Sequence, residues 1–113
     1  HKAEINLQSS NDDTALMNAA FQGHERVVEL LIRHGAEINL QSGKGYTPLM
    51  NAATKGHERV VELLLQRGAE INKLKNGNGE TALMLAVING HERVVELLLR
   101  RGAEINKQNS DGD

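Results

Sequence analysis

The sequence predicts an all-α fold, a solenoid of stacked helix–turn–helix units with β-hairpin-like turns, and three observations support this prediction. The segment GHERVVELL occurs at 23–31, 56–64 and 90–98, at spacings of 33 and then 34 residues. A segment of the form Thr-x-Leu-Met precedes each copy, and GAEIN follows each one. Repetition at a period of roughly 20–50 residues is the signature of a solenoid, in which each unit packs only on its neighbours.

Each unit is predicted to contain a short helix A and a helix B. A Thr residue caps the start of helix A, and Pro48 occupies the first helical position of the second unit. Helix A ends at a Gly, and helix B then carries Glu in its first turn and Arg near its end, as the helix dipole favours. Because helices this short are marginal alone in water, the units must stack. The predicted caps are Thr14, Thr47 and Thr81; helix A runs to Gln22, Lys55 or Asn89; the terminating glycines are Gly23, Gly56 and Gly90 for helix A and Gly35, Gly68 and Gly102 for helix B.

The repeats predict a single domain over residues 1–113. The second spacing is longer by one residue, which falls between Asn72 and Thr81. The chain opens on the tail of a further unit, which we expect to form a hairpin-like leader. The expected boundaries are 1–13 for this partial leading unit, 14–46, 47–80, and 81–113 with a trailing partial turn.

The unit resembles the ankyrin repeat, through the pattern GxTPLxxAAxxGHxxVVxLLLxxGAxxN over residues 3–113. The resemblance implies an ankyrin-repeat α-solenoid of antiparallel helix pairs with a row of projecting β-hairpins. It also implies a binding role for the concave side, which the hairpins and the first helices form. This chain departs from the family by carrying Met where a His usually bonds to the Thr, a loss that we expect to cost about 1 kcal/mol per unit. The departures are Met17, Met50 and Met84, and Asp12 in place of the turn Gly found at 45, 79 and 112.

Composition restricts the partners and the compartment. The formal net charge is −2 and the pI is near 6.2, so neither a nucleic acid nor an anionic membrane is expected as a partner. The chain has no Cys, which suits the cytoplasm or the nucleus. No apolar run reaches the ~18 residues of a membrane span, and no signal peptide is visible. We therefore expect a cytoplasmic or nuclear protein.

The stretch SGKGYT at 42–47 is interpreted as a turn and not as a phosphate-binding loop. Lys44 is followed by Gly45, whereas a P-loop has Ser or Thr at that position. The equivalent stretches of the other units contain no Gly-Lys pair and share only turn residues followed by Thr.

The three His residues of the repeated segment are interpreted as structural residues at the corner between helices A and B. Stacked helices lie ~8–10 Å apart, whereas zinc ligands lie ~2 Å from the ion. Equivalent residues of successive units therefore cannot share a metal ion, and no metal site is expected. These residues are His24, His57 and His91.

No enzymatic activity and no cofactor are expected. The Ser residues all lie in predicted turns, and no Gly-x-Ser-x-Gly motif is present. The Glu and Arg residues that recur on helix B indicate a solvated helix face, since catalysis needs a unique pocket that shifts a pKa. Within this face, Glu29–Arg33 and Glu96–Arg100 have the spacing of i,i+4 ion pairs.

Positions that differ between the units are free of the shared stacking role and predict the binding surface. Phe21 and Tyr46 are the only aromatic residues of the chain, and both belong to this variable set. Aromatic residues are favoured interface anchors. The alternative is that Phe21 and Ile88 fill gaps between neighbouring helices A. The predicted partner-binding residues are Ser10, Asn11, Asp13, Phe21, Gln22, Gln41, Lys44, Tyr46, Thr54, Lys55, Leu74, Asn78, Glu80, Ile88 and Asn89.

The sequence thus predicts a protein–protein interaction module that binds a protein partner of unknown identity through the concave groove. The alternative function is a structural segment of a repeat array, or an engineered consensus-like scaffold, without a partner of its own. The segment at 93–106 keeps the pattern of the internal segment at 59–72. An internal unit has an apolar face that a neighbouring unit normally covers, so self-association through the ends is also predicted. The residues that keep this apolar pattern are Val94, Val95, Leu97, Leu98 and Leu99, and several apolar side chains are expected to be exposed at one or both ends.

Overall fold

The computed structural model describes residues 2–10, 12–75 and 79–103 of the chain. Among these residues the chain forms seven α-helices and no strand, which confirms the predicted all-α fold. The helices are α1 (Lys2–Ile5), α2 (Ala15–Gln22), α3 (Glu25–Arg33), α4 (Pro48–Lys55), α5 (Glu58–Gln66), α6 (Ala82–Ile88) and α7 (Glu92–Arg100).

The six longer helices form three stacked pairs. Each helix A (α2, α4 or α6) packs against the helix B that follows it (α3, α5 or α7), and each also packs against its counterpart in the next unit. Alanines on the A helices, such as Ala20 and Ala53, are fully buried and let the helices approach closely. Valine and leucine side chains of the B helices complete one continuous core. Among the described residues, no helix has the length and apolarity needed to cross a bilayer.

The predicted caps of helix A are confirmed. The Oγ1 atoms of Thr14, Thr47 and Thr81 accept the backbone N–H three residues later at 3.2, 3.2 and 3.3 Å. Gly23 and Gly56 end α2 and α4 with φ of 76°, a left-handed conformation that costs glycine little. Helix α6 ends one residue earlier than predicted.

The methionines of the caps are more than space fillers. The Sδ atoms of Met17 and Met50 accept the backbone N–H of Thr14 and Thr47 at 3.4 and 3.5 Å. Both side chains are fully buried. A thioether is a weak acceptor, so the Met sulfur replaces part of the hydrogen bonding that the His would provide to the Thr. The expected loss of about 1 kcal/mol per unit is therefore an upper limit at these two positions.

The connecting turns are hairpin-like. In the second turn the Ser42 N–H donates to the Tyr46 carbonyl at 2.9 Å, around Gly45 with φ of 88°. The first turn repeats this geometry with Asp12 at φ 62°, a conformation that costs a non-glycine residue roughly 1–2 kcal/mol. The third turn holds the extra residue, because its closing bond runs from Lys75 to Glu80.

The leader differs from the predicted hairpin in starting with the short helix α1. The equivalent residues of the other units follow a glycine that fixes their direction, such as Gly35 with φ of 100°. The leader lacks that glycine, and its Lys, Ala and Glu residues favour helix. Beyond α1 the leader behaves as a unit tail, because the Asn6 Oδ1 accepts from Glu37 N–H at 2.8 Å, as the Asn39 Oδ1 accepts from Glu70 N–H at 2.8 Å.

Neither of the two ion pairs predicted within helix B, Glu29–Arg33 and Glu96–Arg100, forms among the described residues. Glu29 pairs at 3.1 Å with Arg67 of the next unit and not with Arg33. The ion pair between Glu62 and Arg101, at 3.8 Å, follows the same rule.

Apolar side chains are exposed at the end formed by the last unit, as predicted, but they are mostly not those of helix B that suggested it. Val94, Leu97 and Leu98 are buried against the preceding unit, Val95 is half-buried and Leu99 alone is exposed. The reason is that these side chains point back toward the unit already present. The apolar surface at this end lies instead on Val87 and Ile88 of α6.

Candidate functional site

The A helices and the turns of the first two units enclose an open groove of about 610 Å³. The turns form one wall, and the exposed sides of α2 and α4 form the floor. Helices α3 and α5 contribute no side chain to this groove among the described residues. Seven of the predicted binding residues converge there: Ser10, Asp13, Phe21, Gln22, Lys44, Tyr46 and Thr54.

Phe21 lies in the last turn of α2 and is partly exposed. The Nζ atom of Lys55, at the end of the first helix of the next unit, lies 5.1 Å from the centre of its ring. This distance permits a cation–π contact. The Phe21 carbonyl also accepts a hydrogen bond from the His57 ring at 2.9 Å. The ring is thus held at the mouth of the groove with one face toward Lys55.

Tyr46 follows the second turn and is half-buried against the core. Its N–H donates to Ser42 Oγ at 3.2 Å. The Nζ atom of Lys75 lies 4.9 Å from the ring centre and 3.5 Å from a carboxylate oxygen of Glu80. Tyr46 is therefore both a core residue and a groove residue.

Gln41, another predicted residue, connects neighbouring turns. Its Nε2 donates to the Gly45 carbonyl at 2.8 Å and to the Leu74 carbonyl at 3.1 Å. Gln8 makes the equivalent bonds to the carbonyls of Asp12 and Gln41 at 2.8 and 3.4 Å. The amide of Gln41 is thus occupied by the contact between the second and third turns.

The remaining predicted residues lie outside the groove. Ile88 and Asn89 are at the far end of the stack, on the side of the third unit that no described unit covers. Lys55, Leu74 and Glu80 flank the groove through the contacts described above. Asn11 and Asn78 lie outside the described residues. The binding role of the whole set stays a prediction.

The groove also contains residues that the sequence comparison missed. Asn18 and Asn51 lie on its floor, at a helix position where the third unit has the buried Leu85. This difference between units is the signal that would have identified them. The other missed lining residues are Asp12, Met17 and Ser42.

The groove combines both charges with apolar surface. Asp12 and Asp13 lie at the first turn, and Lys44 lies at the second. The amides of Asn18 and Asn51 can donate and accept hydrogen bonds, and the Phe21 ring offers apolar contact. No group of three or more His, Cys, Asp or Glu residues in the described part could hold a metal ion. The arrangement suits recognition of a polypeptide surface.

Comparison with known families gives one match. The family model described as ankyrin repeats (3 copies) matches residues 1–75 and, in an overlapping alignment, residues 35–109. A search of curated proteins found no match.

Proposed function

Because the chain belongs to the ankyrin repeat family, we propose that it binds a protein partner through the groove of its first two units. Ankyrin repeats are generally protein–protein interaction modules, and the family is typically non-enzymatic. The observation that carries the proposal is the convergence of the residues that vary between units. The units stack with different residues at these positions, and seven of the variable residues line one groove.

Phe21 is the proposed anchor. It is partly exposed, its backbone is fixed by the His57 bond, and Lys55 supports one face of its ring. A partner that buries the rest of this ring gains apolar contact at little entropic cost, because the side chain is already held. Asp13 and Lys44 at the two turns select the partner's charge pattern.

The test is affinity capture of partners by the 113-residue protein, with groove variants as the comparison. Phe21→Ala is expected to abolish capture, since an interface anchor is worth ~2 kcal/mol or more. Tyr46→Ala is a less selective test, because Tyr46 packs on the core and its loss would also affect folding. The second variant is therefore Asn18→Ala with Asn51→Ala. Circular dichroism and melting check that both variants are folded.

The matched control is Arg59→Ala. Arg59 is an exposed residue of α5, a helix that does not line the groove. A protein retained by the wild type and by Arg59→Ala, but lost with the groove variants, supports the proposal. Retention by every folded groove variant contradicts it and favours a scaffold without a groove partner.

Self-association through the two ends of the stack is the second candidate function, and differences in exposure favour it. Val27 is 44% exposed, whereas its counterparts Val60 and Val94 in the later units are 1% exposed. At the other end, Val87 and Ile88 are 59% and 67% exposed. We name His24, Val27 and Leu30 the leading face, and Val87, Ile88 and Gly90 the trailing face.

Sedimentation velocity over a hundredfold concentration range tests this second proposal. The expected result is a weight-average mass that rises with concentration, because both faces expose apolar surface that association removes from water. A monomer at every concentration contradicts it.

A further inference from the structure

Two equivalent contacts inside the molecule fix the position of each unit against the preceding one. The Nε2–H of His57 donates to the Phe21 carbonyl at 2.9 Å, and the Nε2–H of His91 donates to the Thr54 carbonyl at 2.9 Å. Each ring lies over a glycine of the preceding unit. A Cβ atom on Gly23 or Gly56 would lie 2.6 Å from the Nδ1 atom of that ring. The seat is therefore a left-handed glycine together with the carbonyl two residues before it.

A third seat of the same form is open. Gly90 has φ of 72°, close to the 76° of the two occupied seats. No described atom lies within 4 Å of the position that a Cβ on Gly90 would take. The carbonyl two residues earlier belongs to Ile88, whose side chain is exposed. Among the described residues, the trailing face thus carries a copy of the internal seat with no occupant.

The leading face carries the corresponding ring. His24 occupies the position of His57 and His91 and is exposed. Beside it, Leu30 is 51% exposed, whereas its counterpart Leu97 is 3% exposed because a preceding unit covers it. The leading face and the trailing face are therefore the two halves of one contact that already occurs twice within the described chain.

We propose that copies of this chain stack head to tail, with His24 of one copy seated on Gly90 of another and bonded to its Ile88 carbonyl. This inference rests on the proposed self-association and specifies its geometry. Because the contact joins two different faces, each added copy leaves one face free, and growth continues as a linear array.

The contact between copies is weaker than the internal ones for two reasons. Val87 stands where Ala20 and Ala53 are completely buried, so two additional methyl groups must be accommodated. On the turn side, the leader already supplies the first unit's neighbour through Asn6 and Glu37, so stacking adds only the helical part of the contact. The association is therefore reversible and depends on concentration.

Complementary variants test the geometry. Val27→Glu with Leu30→Glu blocks the leading face, and Val87→Glu with Ile88→Glu blocks the trailing face. These four residues are exposed, so the variants are expected to fold, which circular dichroism verifies. Each variant alone is expected to stay monomeric, whereas an equimolar mixture forms a 1:1 dimer and nothing larger.

The outcomes separate this inference from the proposal on which it rests. If either variant dimerises alone, the same unblocked face of two copies must pair. The head-to-tail geometry is then overturned, while self-association stands. If the wild type is a monomer throughout, both fail.

Two single substitutions test the seat itself. His24→Ala is expected to raise the dissociation constant of self-association about tenfold. The melting temperature of the monomer is expected to stay the same. Arg26→Ala is the control, because its counterparts Arg59 and Arg93 stay exposed inside the stack. An unchanged dissociation constant for His24→Ala would overturn the seat.

The second substitution is Val87→Ala. It restores the alanine of the internal contacts and is expected to tighten association severalfold. Weaker association would mean that the copies adhere through apolar area alone, which would overturn the proposed geometry.

Discussion

At the scale of single residues, Met replaces the usual His at the start of helix A. The hydrogen bond between that His and the capping Thr is thereby replaced by a weaker bond from the Thr N–H to the Met sulfur. The Thr hydroxyl accepts one backbone N–H, and the Met sulfur accepts the N–H of the Thr itself at 3.4–3.5 Å in the first two units. In the third unit Met84 is only half-buried. Because sulfur is a weak acceptor, a stronger acceptor at these positions would stabilise the caps further.

Replacing Met17, Met50 and Met84 by His is expected to raise the urea midpoint of unfolding. An imidazole nitrogen is a stronger acceptor for the Thr N–H than a thioether, and each hydrogen bond is worth about 1 kcal/mol at most here. Met50→Leu is the matched control, because it keeps the volume and removes the acceptor; it is expected to lower the midpoint. A lower midpoint for the His variant would mean that methionine packing outweighs the hydrogen bond.

At the scale of elements, the corner between helices A and B joins one unit to the next. The glycine that ends helix A has to be left-handed, and in the first two units it must also leave space for the His ring of the following unit. These two requirements act together at Gly23 and Gly56. At Gly90 only the first applies, because its seat is open.

Gly56→Ala is therefore expected to destabilise the protein more than Gly90→Ala. Both substitutions introduce a strained left-handed alanine at roughly 1 kcal/mol. Gly56→Ala additionally displaces the His91 ring, which adds ~1–3 kcal/mol of overpacking. Urea denaturation below the concentration of self-association measures both. Equal losses would show that the ring moves aside without cost.

At the scale of the whole molecule, the three units have unequal support. The second unit has a helix pair on both sides, whereas the described part of the chain leaves one side of the first and third units without a neighbouring helix pair. In a solenoid, stability is close to a sum of unit terms and nearest-neighbour terms. The ends are therefore the first parts to open.

Hydrogen exchange of the monomer is expected to be slowest in α4 and α5. Amides of α3 and α7 exchange faster, because they open with the terminal units and without global unfolding. Mass spectrometry on peptides from the three copies gives a direct comparison, since the copies have nearly the same sequence. Equal protection in all six long helices would indicate that the stack opens as one unit.

The sequence by itself determined the repeat, the caps and, apart from the end of α6, the bounds of the six long helices, because these depend on local chemistry. Thr47 caps its helix and Gly56 ends it through bonds within a few residues, and such bonds can be read from the chain. Only part of the groove could be predicted in the same way. Comparison of the copies identified Phe21 and Lys44, but it did not identify which variable residues would meet.

Only the tertiary structure decided what depends on neighbours about one repeat away. Val27 and Val60 occupy the same position in the same repeated segment, yet the first is exposed and the second is buried, because only the second has a unit before it. Glu29 pairs with Arg67 and not with Arg33 for the same reason. Identical local sequences acquire different environments when the stack ends, since the missing term is a contact between units and not a property of any one of them.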